Sequence, residues 1–279
     1  MIPDVKIAVV TGGGHGIGRA ICRRLARDGA KVVIVDLDQE AADTVAAEID
    51  GLSFCVDVAD EQAMLALVDD VEANVGPIDL FASNAGVVFG DGKSGSASAD
   101  GVLADVEDRW DTSWRINVMA HVYAARALLP RMTERGAGYL VNTVSAAGLL
   151  SSIGDSAYAV TKHAAIGFAE AVAIRHGDDG IRVSVVCPQA VATRMLDLAT
   201  GPGAEENVFG GADLDGIATP EQVADSIVEG VAAGRFLITP HPEVIGYFQN
   251  KAADYDRWIG GMRKLRRKLA GDMSGNLKK

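Results

Sequence analysis

Seven short runs of β-forming, almost uninterrupted apolar residues recur along the chain, at 7–10, 31–36, 52–58, 78–83, 139–145, 182–187 and 236–239. Runs without polar alternation suit strands covered on both faces, and parallel neighbours must be joined by crossover helices. Helical stretches fall between them, at 17–27, 39–50, 61–74, 107–134, 157–176 and 220–233. In the first, Ile17, Ile21 and Leu25 recur four apart, and Gly29 sits where a left-handed C-terminal cap belongs. The alternation predicts an α/β fold, a doubly wound parallel sheet with helices on both faces. A further helical pattern over 247–269 predicts a C-terminal helical extension, within 240–279, on a single domain spanning 1–279. The segments 89–105 and 198–216, rich in glycine and small polar residues, read as surface loops of that domain.

The 279 residues, 48% of them hydrophobic, suffice for a full core without disulfide or metal staples. No run of about 18 apolar residues occurs, and residues 1–6 carry no basic-then-apolar leader, so neither a spanning helix nor a signal peptide is expected. Cys22, Cys55 and Cys187 are far apart and form no Cys-x-x-Cys, which predicts buried, inert thiols in a reducing, cytoplasmic setting. The five histidines lack ligand spacing, so no metal is expected. A net charge of -12 argues against nucleic-acid binding. Arg263, Lys264, Arg266, Arg267, Lys268, Lys278 and Lys279 cluster at the end, opposed only by Asp272; they read as a solvated helix end or a strut against a neighbouring subunit, rather than a membrane- or RNA-binding tail. The stretch 157–176 is apolar or small almost all round, which predicts burial in a homo-oligomer; an unusually enclosed monomer is the alternative.

The first strand runs into Thr11-Gly12-Gly13-Gly14-His15-Gly16-Ile17-Gly18, and a helix follows at once. Glycines there let the backbone turn tightly and approach a pyrophosphate, whose charge the helix N-terminus favours. Gly12, Gly16 and Gly18 follow G-x-x-x-G-x-G rather than the usual G-x-G-x-x-G; Gly14, His15 and Ile17 complete the turn. Asp36 ends the second strand. A carboxylate there accepts hydrogen bonds from an adenosine ribose diol and repels a 2′-phosphate. Leu37 follows where a basic residue would favour NADP, so NAD is the expected cofactor; a plain turn aspartate is the alternative, and a protonated His15 would tolerate a phosphate. Asp57 and Val58, ending the third strand, are placed to meet the adenine.

Tyr158 and Lys162 stand four apart on a helix and share one face. One positive charge about 4 Å away, at an effective dielectric near 20, is worth roughly 4 kcal/mol. That would lower a phenol's pKa of about 10 by roughly three, making it a usable acid/base. An aromatic packing residue beside a solvated lysine is the bland alternative.

Thr11–Gly18, Asn84-Ala85-Gly86, Asn117, Ser145, Tyr158 and Lys162 stand in the order of the short-chain dehydrogenase/reductase family, and the chain resembles its compact branch over about residues 5 to 240. The resemblance implies a Rossmann-type sheet of seven mostly parallel strands with substrate at their carboxyl edge. It implies that Tyr158 exchanges a proton with the substrate oxygen, that Lys162 lowers the Tyr158 pKa and holds the nicotinamide ribose, and that Ser145 orients the substrate oxygen. Asn117 would hold a water linking Lys162 to solvent; an exposed helix polar residue is its alternative. Asn84, Ala85, Gly86, Pro188, Val191 and Thr193 would line the cofactor. A tetramer is the family's habit.

Where the family has Pro-Gly after the sixth strand, this chain has Pro188-Gln189, which places a side chain at the pocket. Gln189, Leu149 and Met195 are the expected substrate contacts. Val87, Leu150, Ile153, Leu196 and Phe209 suggest an apolar, bulky substrate, and Arg194 offers an anchor for an anionic one. The segment 198–216 is a candidate lid. The expected function is NAD-dependent interconversion of a secondary alcohol and a ketone on a small-molecule substrate. The alternatives are a non-catalytic dinucleotide-binding redox sensor and, less compatible with the chain length and glycine spacing, a sugar-nucleotide epimerase or dehydratase.

Overall fold

The computed structural model describes residue 2, residues 5–89, 106–195 and 214–276, with side chains in the last two stretches over 109–195 and 214–269. Seven parallel strands, β1 (Ile7–Thr11), β2 (Lys31–Asp36), β3 (Leu52–Cys55), β4 (Leu80–Ser83), β5 (Gly138–Thr143), β6 (Ile181–Val186) and β7 (Leu237–Ile238), form one sheet in the order β3-β2-β1-β4-β5-β6-β7. The predicted doubly wound α/β class is the observed one.

Alternation along each strand feeds two cores. Val9, Val33 and Phe81 point to one face, where they meet Met64 of α3 (Glu61–Asn74), Leu128 of α5 (Ala120–Arg135) and Ala165 of α7 (Ser156–His176). Ala8, Val10 and Ile34 point to the other, against Ile21 of α1 (Gly16–Arg27), Val45 of α2 (Gln39–Ile49) and Ile227 of α8 (Pro220–Ala232). Covering both faces is what the unbroken apolar runs require. The chain winds outward from β1 to β3, then returns to place β4 on the other side of β1. That reversal opens a crevice at the carboxyl ends of β1 and β4.

Two helical expectations are corrected. The stretch 107–134 is not one α-helix: α4 (Val106–Trp114) passes through a π-helical turn, Arg115–Met119, before α5. The stretch 247–269 is broken by Asp254, whose extended backbone separates α9 (Glu243–Ala253) from α10 (Tyr255–Asn276). Its carboxylate accepts the Arg257 N–H at 2.9 Å, as a residue opening a helix does. A single turn, α6 (Ala147–Leu150), also forms just after β5. On α10, Arg263, Lys264, Arg266, Arg267 and Lys268 are exposed. Among the described residues, no helix is long and apolar enough to cross a membrane and no His/Cys/Asp/Glu group is arranged to hold a metal. Cys22 and Cys187 are buried, but Cys55, at the end of an edge strand, is exposed, contrary to expectation.

Candidate active site

The crevice is a cavity of about 880 Å³ running from Asp36 and Leu37, past the glycine turn, to Ser145 and Tyr158 and on to the C-terminal helices. Its first end is shaped by glycines that nothing larger can replace. Gly12 has φ 64°, and a Cβ there would lie 3.0 Å from Ala85 Cα; a Cβ on Gly18 would lie 1.9 Å from the Gly12 carbonyl oxygen. Gly16, at φ 47°, opens α1, which has neither a side-chain cap nor an acidic residue in its first turn. Its first N–H groups are therefore free to meet an anion. Asp36 braces the turn: its carboxylate accepts the Gly14 N–H at 2.9 Å and the Asp38 N–H at 3.1 Å. His15 hydrogen-bonds Asp38 at 2.9 Å, and this bond holds the Asp38 carboxyl below its ordinary range. Across the crevice, Thr11 Oγ1 accepts the N–H groups of Asn84 and Ala85 at 3.0 and 3.2 Å, fastening β1 to the segment after β4.

The second end is organised by Asp155, a residue the sequence reading passed over. Its side chain caps α7, accepting the Tyr158 N–H at 2.8 Å, and also accepts the Phe89 N–H at 2.9 Å. An aspartate just before a helical run was the available signal. The cap fixes Tyr158 in the first turn, beside Ser145, whose Oγ accepts the Ala147 N–H at 3.1 Å. Lys162, one turn on and 2% exposed, donates to the Thr143 carbonyl at 3.2 Å, with its Nζ 5.4 Å from the centre of the Tyr158 ring.

The expected electrostatics is corrected here. Burial pushes the Tyr158 phenol up to about 12, only partly offset by the Ser145 hydroxyl, and pushes the Lys162 ammonium down to about 8. In each case burial disfavours the charged form, and it is the largest cause of the shift.

Of the residues singled out in the sequence, Gly12, His15, Gly16, Ile17, Asp36 and Leu37 line the cavity, as do Asp57, Val58, Asn84, Ala85 and Gly86. So do Ser145, Tyr158, Lys162, Pro188, Gln189, Val191, Thr193, Arg194 and Met195. Gly14 and Gly18 are not in the lining; the Gly14 N–H donates to Asp36, and Gly18 packs on the Gly12 carbonyl. Asn117 is fully buried behind the wall, where its amide bonds the backbone of Val87 and donates to Thr161 Oγ1 at 3.2 Å. A Cβ on Gly86 would lie 3.2 Å from Asn117 Oδ1 and 3.4 Å from Lys162 Nζ. Leu149 is corrected: both it and Leu150 are buried in the core, but only Leu150 lines the cavity. Leu196, Phe209 and the lid segment up to residue 213 lie outside the described residues. The sequence reading also missed Asp215, Tyr247, Asn250, Trp258 and Met262, which complete the far wall. Trp258, Met262 and Leu265 share one face of α10, a stripe that was visible beneath its basic residues.

A crevice of this kind, at the turning point of a parallel sheet, is where Rossmann-type folds bind dinucleotides. The family model for short chain dehydrogenases matches residues 6–200, and the chain belongs to the short-chain dehydrogenase/reductase family. It is 31% identical over 235 residues to a meso-2,3-butanediol dehydrogenase of Serratia marcescens, covering 83% of this chain and 82% of that one. A 1-deoxy-11-beta-hydroxypentalenate dehydrogenase of Streptomyces exfoliatus is 34% identical over 241 residues, covering 84% and 82%. A short chain dehydrogenase/reductase from Burkholderia phymatum, solved in complex with NAD, superposes with a TM-score of 0.74 at 29% identity, over 91% of this chain and 95% of that one.

Proposed function

We propose that the protein is an NAD-dependent oxidoreductase that interconverts a secondary alcohol and a ketone, with Tyr158 exchanging the proton. The observation that carries this reading is that Ser145, Tyr158 and Lys162 face the same cavity as the glycine turn and Asp36. The glycine cradle suits a dinucleotide: side chains at Gly12 or Gly18 would close it, and the uncapped start of α1 offers N–H groups to a pyrophosphate. The Asp36 carboxylate oxygens each have a lone pair beyond the backbone bonds they accept, enough to take a ribose diol and to disfavour a 2′-phosphate. Bound there, the nicotinamide group supplies the hydride acceptor for oxidation or the hydride donor for reduction. Tyr158 gives its proton to the ketone oxygen in reduction and removes the hydroxyl proton in oxidation. Ser145 steadies that oxygen, and Lys162 supplies the charge that makes a phenolate tolerable.

The test is NADH formation with a panel of secondary alcohols, comparing wild type with Tyr158→Phe. Turnover by wild type that the variant loses by a factor of about a thousand or more supports the reading. NADH binding with no alcohol or ketone turned over supports a redox sensor instead. Titration of NADH against NADPH tests the cofactor: tighter NADPH binding overturns the role of Asp36, and Asp36→Ala is expected to narrow a preference for NADH.

A homo-oligomer in the cytoplasm completes the proposal. Supporting assembly, α7 carries Val160 and Ile174 at 46% and 84% exposure on its outer side. Light scattering measures the assembly, and a monomer at micromolar concentration would overturn it.

A further inference from the structure

The far end of the cavity holds a carboxylate for which the proton chemistry has no use. Asp215 precedes α8, Gln189 follows β6 and Tyr247 lies on α9, yet their side chains meet. Gln189 Nε2 donates to Asp215 Oδ2 at 3.1 Å, and the Tyr247 hydroxyl donates to Asp215 Oδ1 at 2.9 Å. All three line the cavity that contains Ser145 and Tyr158. The Gln189 backbone is pinned as well, its N–H donating to His241 Nδ1 at 3.1 Å. Because a carboxylate only accepts, the Gln189 amide must turn its NH₂ toward Asp215, which fixes the orientation of the group.

Each Asp215 oxygen thus takes one bond from a neutral donor and keeps capacity for another. Among the described residues no lysine or arginine pairs with it. The cavity lining also includes the apolar side chains of Leu150, Ile153, Trp258 and Met262, alongside the polar Asn250 and Arg257. A purely hydrocarbon substrate filling this end would strip water from the carboxylate and return nothing, which is costly. A substrate hydroxyl in the same place would replace that water with a charge-assisted hydrogen bond.

We propose that Asp215, held by Gln189 and Tyr247, receives a second hydroxyl of the substrate, so that the enzyme's substrates are diols and the corresponding hydroxyketones. This narrows the expectation of an apolar substrate and rests on the alcohol–ketone chemistry proposed above. The received hydroxyl would keep its proton, and its carbon its oxidation state; at the other carbinol Tyr158, as phenolate, would take the hydroxyl proton while the carbon's hydride would leave to a bound nicotinamide.

The experiment measures kcat/KM for matched pairs: 2-butanol against the 2,3-butanediol stereoisomers, cyclohexanol against the 1,2- and 1,3-cyclohexanediols, and 1-amino-2-propanol against 1,2-propanediol. Wild type is expected to favour at least one diol over its mono-alcohol by roughly ten- to a hundredfold, the worth of a hydrogen bond to a charged group. Asp215→Asn is expected to bring that ratio to within about threefold of one, and Tyr247→Phe to lower it partway. Thermal melting and NADH titration of both variants establish that the fold and the dinucleotide end are retained. Equal rates on diols and mono-alcohols, a preference that survives Asp215→Asn in a folded variant, or a preference for the amino alcohol would each overturn the inference and leave the alcohol–ketone reading standing. Failure of every alcohol and diol, with NADH still bound, would overturn both.

Discussion

Asn117 and Val87 are joined by two reciprocal hydrogen bonds: Asn117 Oδ1 accepts the Val87 N–H at 2.9 Å, and Asn117 Nδ2 donates to the Val87 carbonyl at 3.0 Å. One side-chain amide thereby does for a loop residue what a neighbouring strand would do. The π-helical turn turns this amide inward, against the segment that carries Gly86 to within a few ångströms of Lys162. Asn117→Ala leaves both Val87 groups unmet, a loss of about 2 kcal/mol or more. The expected outcome is a lower midpoint in urea and a fall in kcat of about tenfold or more as the wall behind Lys162 loosens. Unchanged stability would remove Asn117 from this structural role.

The Tyr158 phenol, held up at about 12 by burial, is a proton donor at neutral pH. Ketone reduction needs the protonated phenol and is expected to run at a constant rate between pH 6 and 8. Alcohol oxidation needs the phenolate, whose fraction grows with pH below the phenol's pKa, so its kcat/KM is expected to climb from pH 6 to about 8, above which Lys162 begins to lose the charge that supports the phenolate. Measuring both directions across pH 6 to 10 checks this. An oxidation rate that is flat from pH 6 upward would mean that another group takes the proton.

Lys162 is held for chemistry at a cost to stability. Its ammonium, lowered to about 8 from an ordinary 10.5, binds protons less readily in the folded state than in the unfolded one. Wild-type stability therefore carries its full penalty below pH 8, and the penalty is relieved as pH rises from 8 to 10.5. At 1.36 kcal/mol per pKa unit the penalty is on the order of 3 kcal/mol. Lys162→Met is expected to abolish turnover yet melt higher than wild type at pH 7, with the advantage shrinking above pH 8. A lower melting temperature at pH 7 would show that the bond to Thr143 outweighs the burial of charge.

The sheet was legible in the sequence because its strands are covered on both faces, and unbroken apolar runs such as 31–36 have few other uses. The glycine turn and the Ser145, Tyr158 and Lys162 set were legible because their residue types and spacing are tied to shape and chemistry. Asn117 was found, but not its π-helical turn, since one extra residue leaves no periodic trace. Leu149 and Leu150 are neighbours, and only the phase of a four-residue turn decides which one faces the cavity. The acidity of Tyr158 was misjudged because distance along a helix is visible in sequence and desolvation is not. Asp215 was obscured by the glycine-rich stretch before it, and the cavity-facing stripe of α10 by its basic residues.

Lys251 fastens the C-terminal helices to the active-site loop, and protonation of His163 is expected to loosen that fastening. Lys251 is 6% exposed, donates to the Leu149 carbonyl at 2.6 Å and lies 3.3 Å from His163 Nε2. His163 Nδ1 lies 2.8 Å from the Ala159 carbonyl, which can only accept, so Nδ1 carries the proton and Nε2 is left to accept from Lys251. Burial first, and the Lys251 charge besides, lower the His163 pKa from its ordinary 6.5. The folded state then binds this proton less readily than the unfolded state, so stability is lost as pH falls below about 6.5. A protonated Nε2 also turns an attraction into repulsion between two cations. Wild type is expected to lose more melting temperature between pH 7 and 5 than His163→Gln does. Lys251→Met, which removes the donor from Leu149 and from the helix bearing Tyr247, is expected to raise KM severalfold at every pH. Parallel melting curves for wild type and His163→Gln across that range would show that the imidazole plays no part in holding α9.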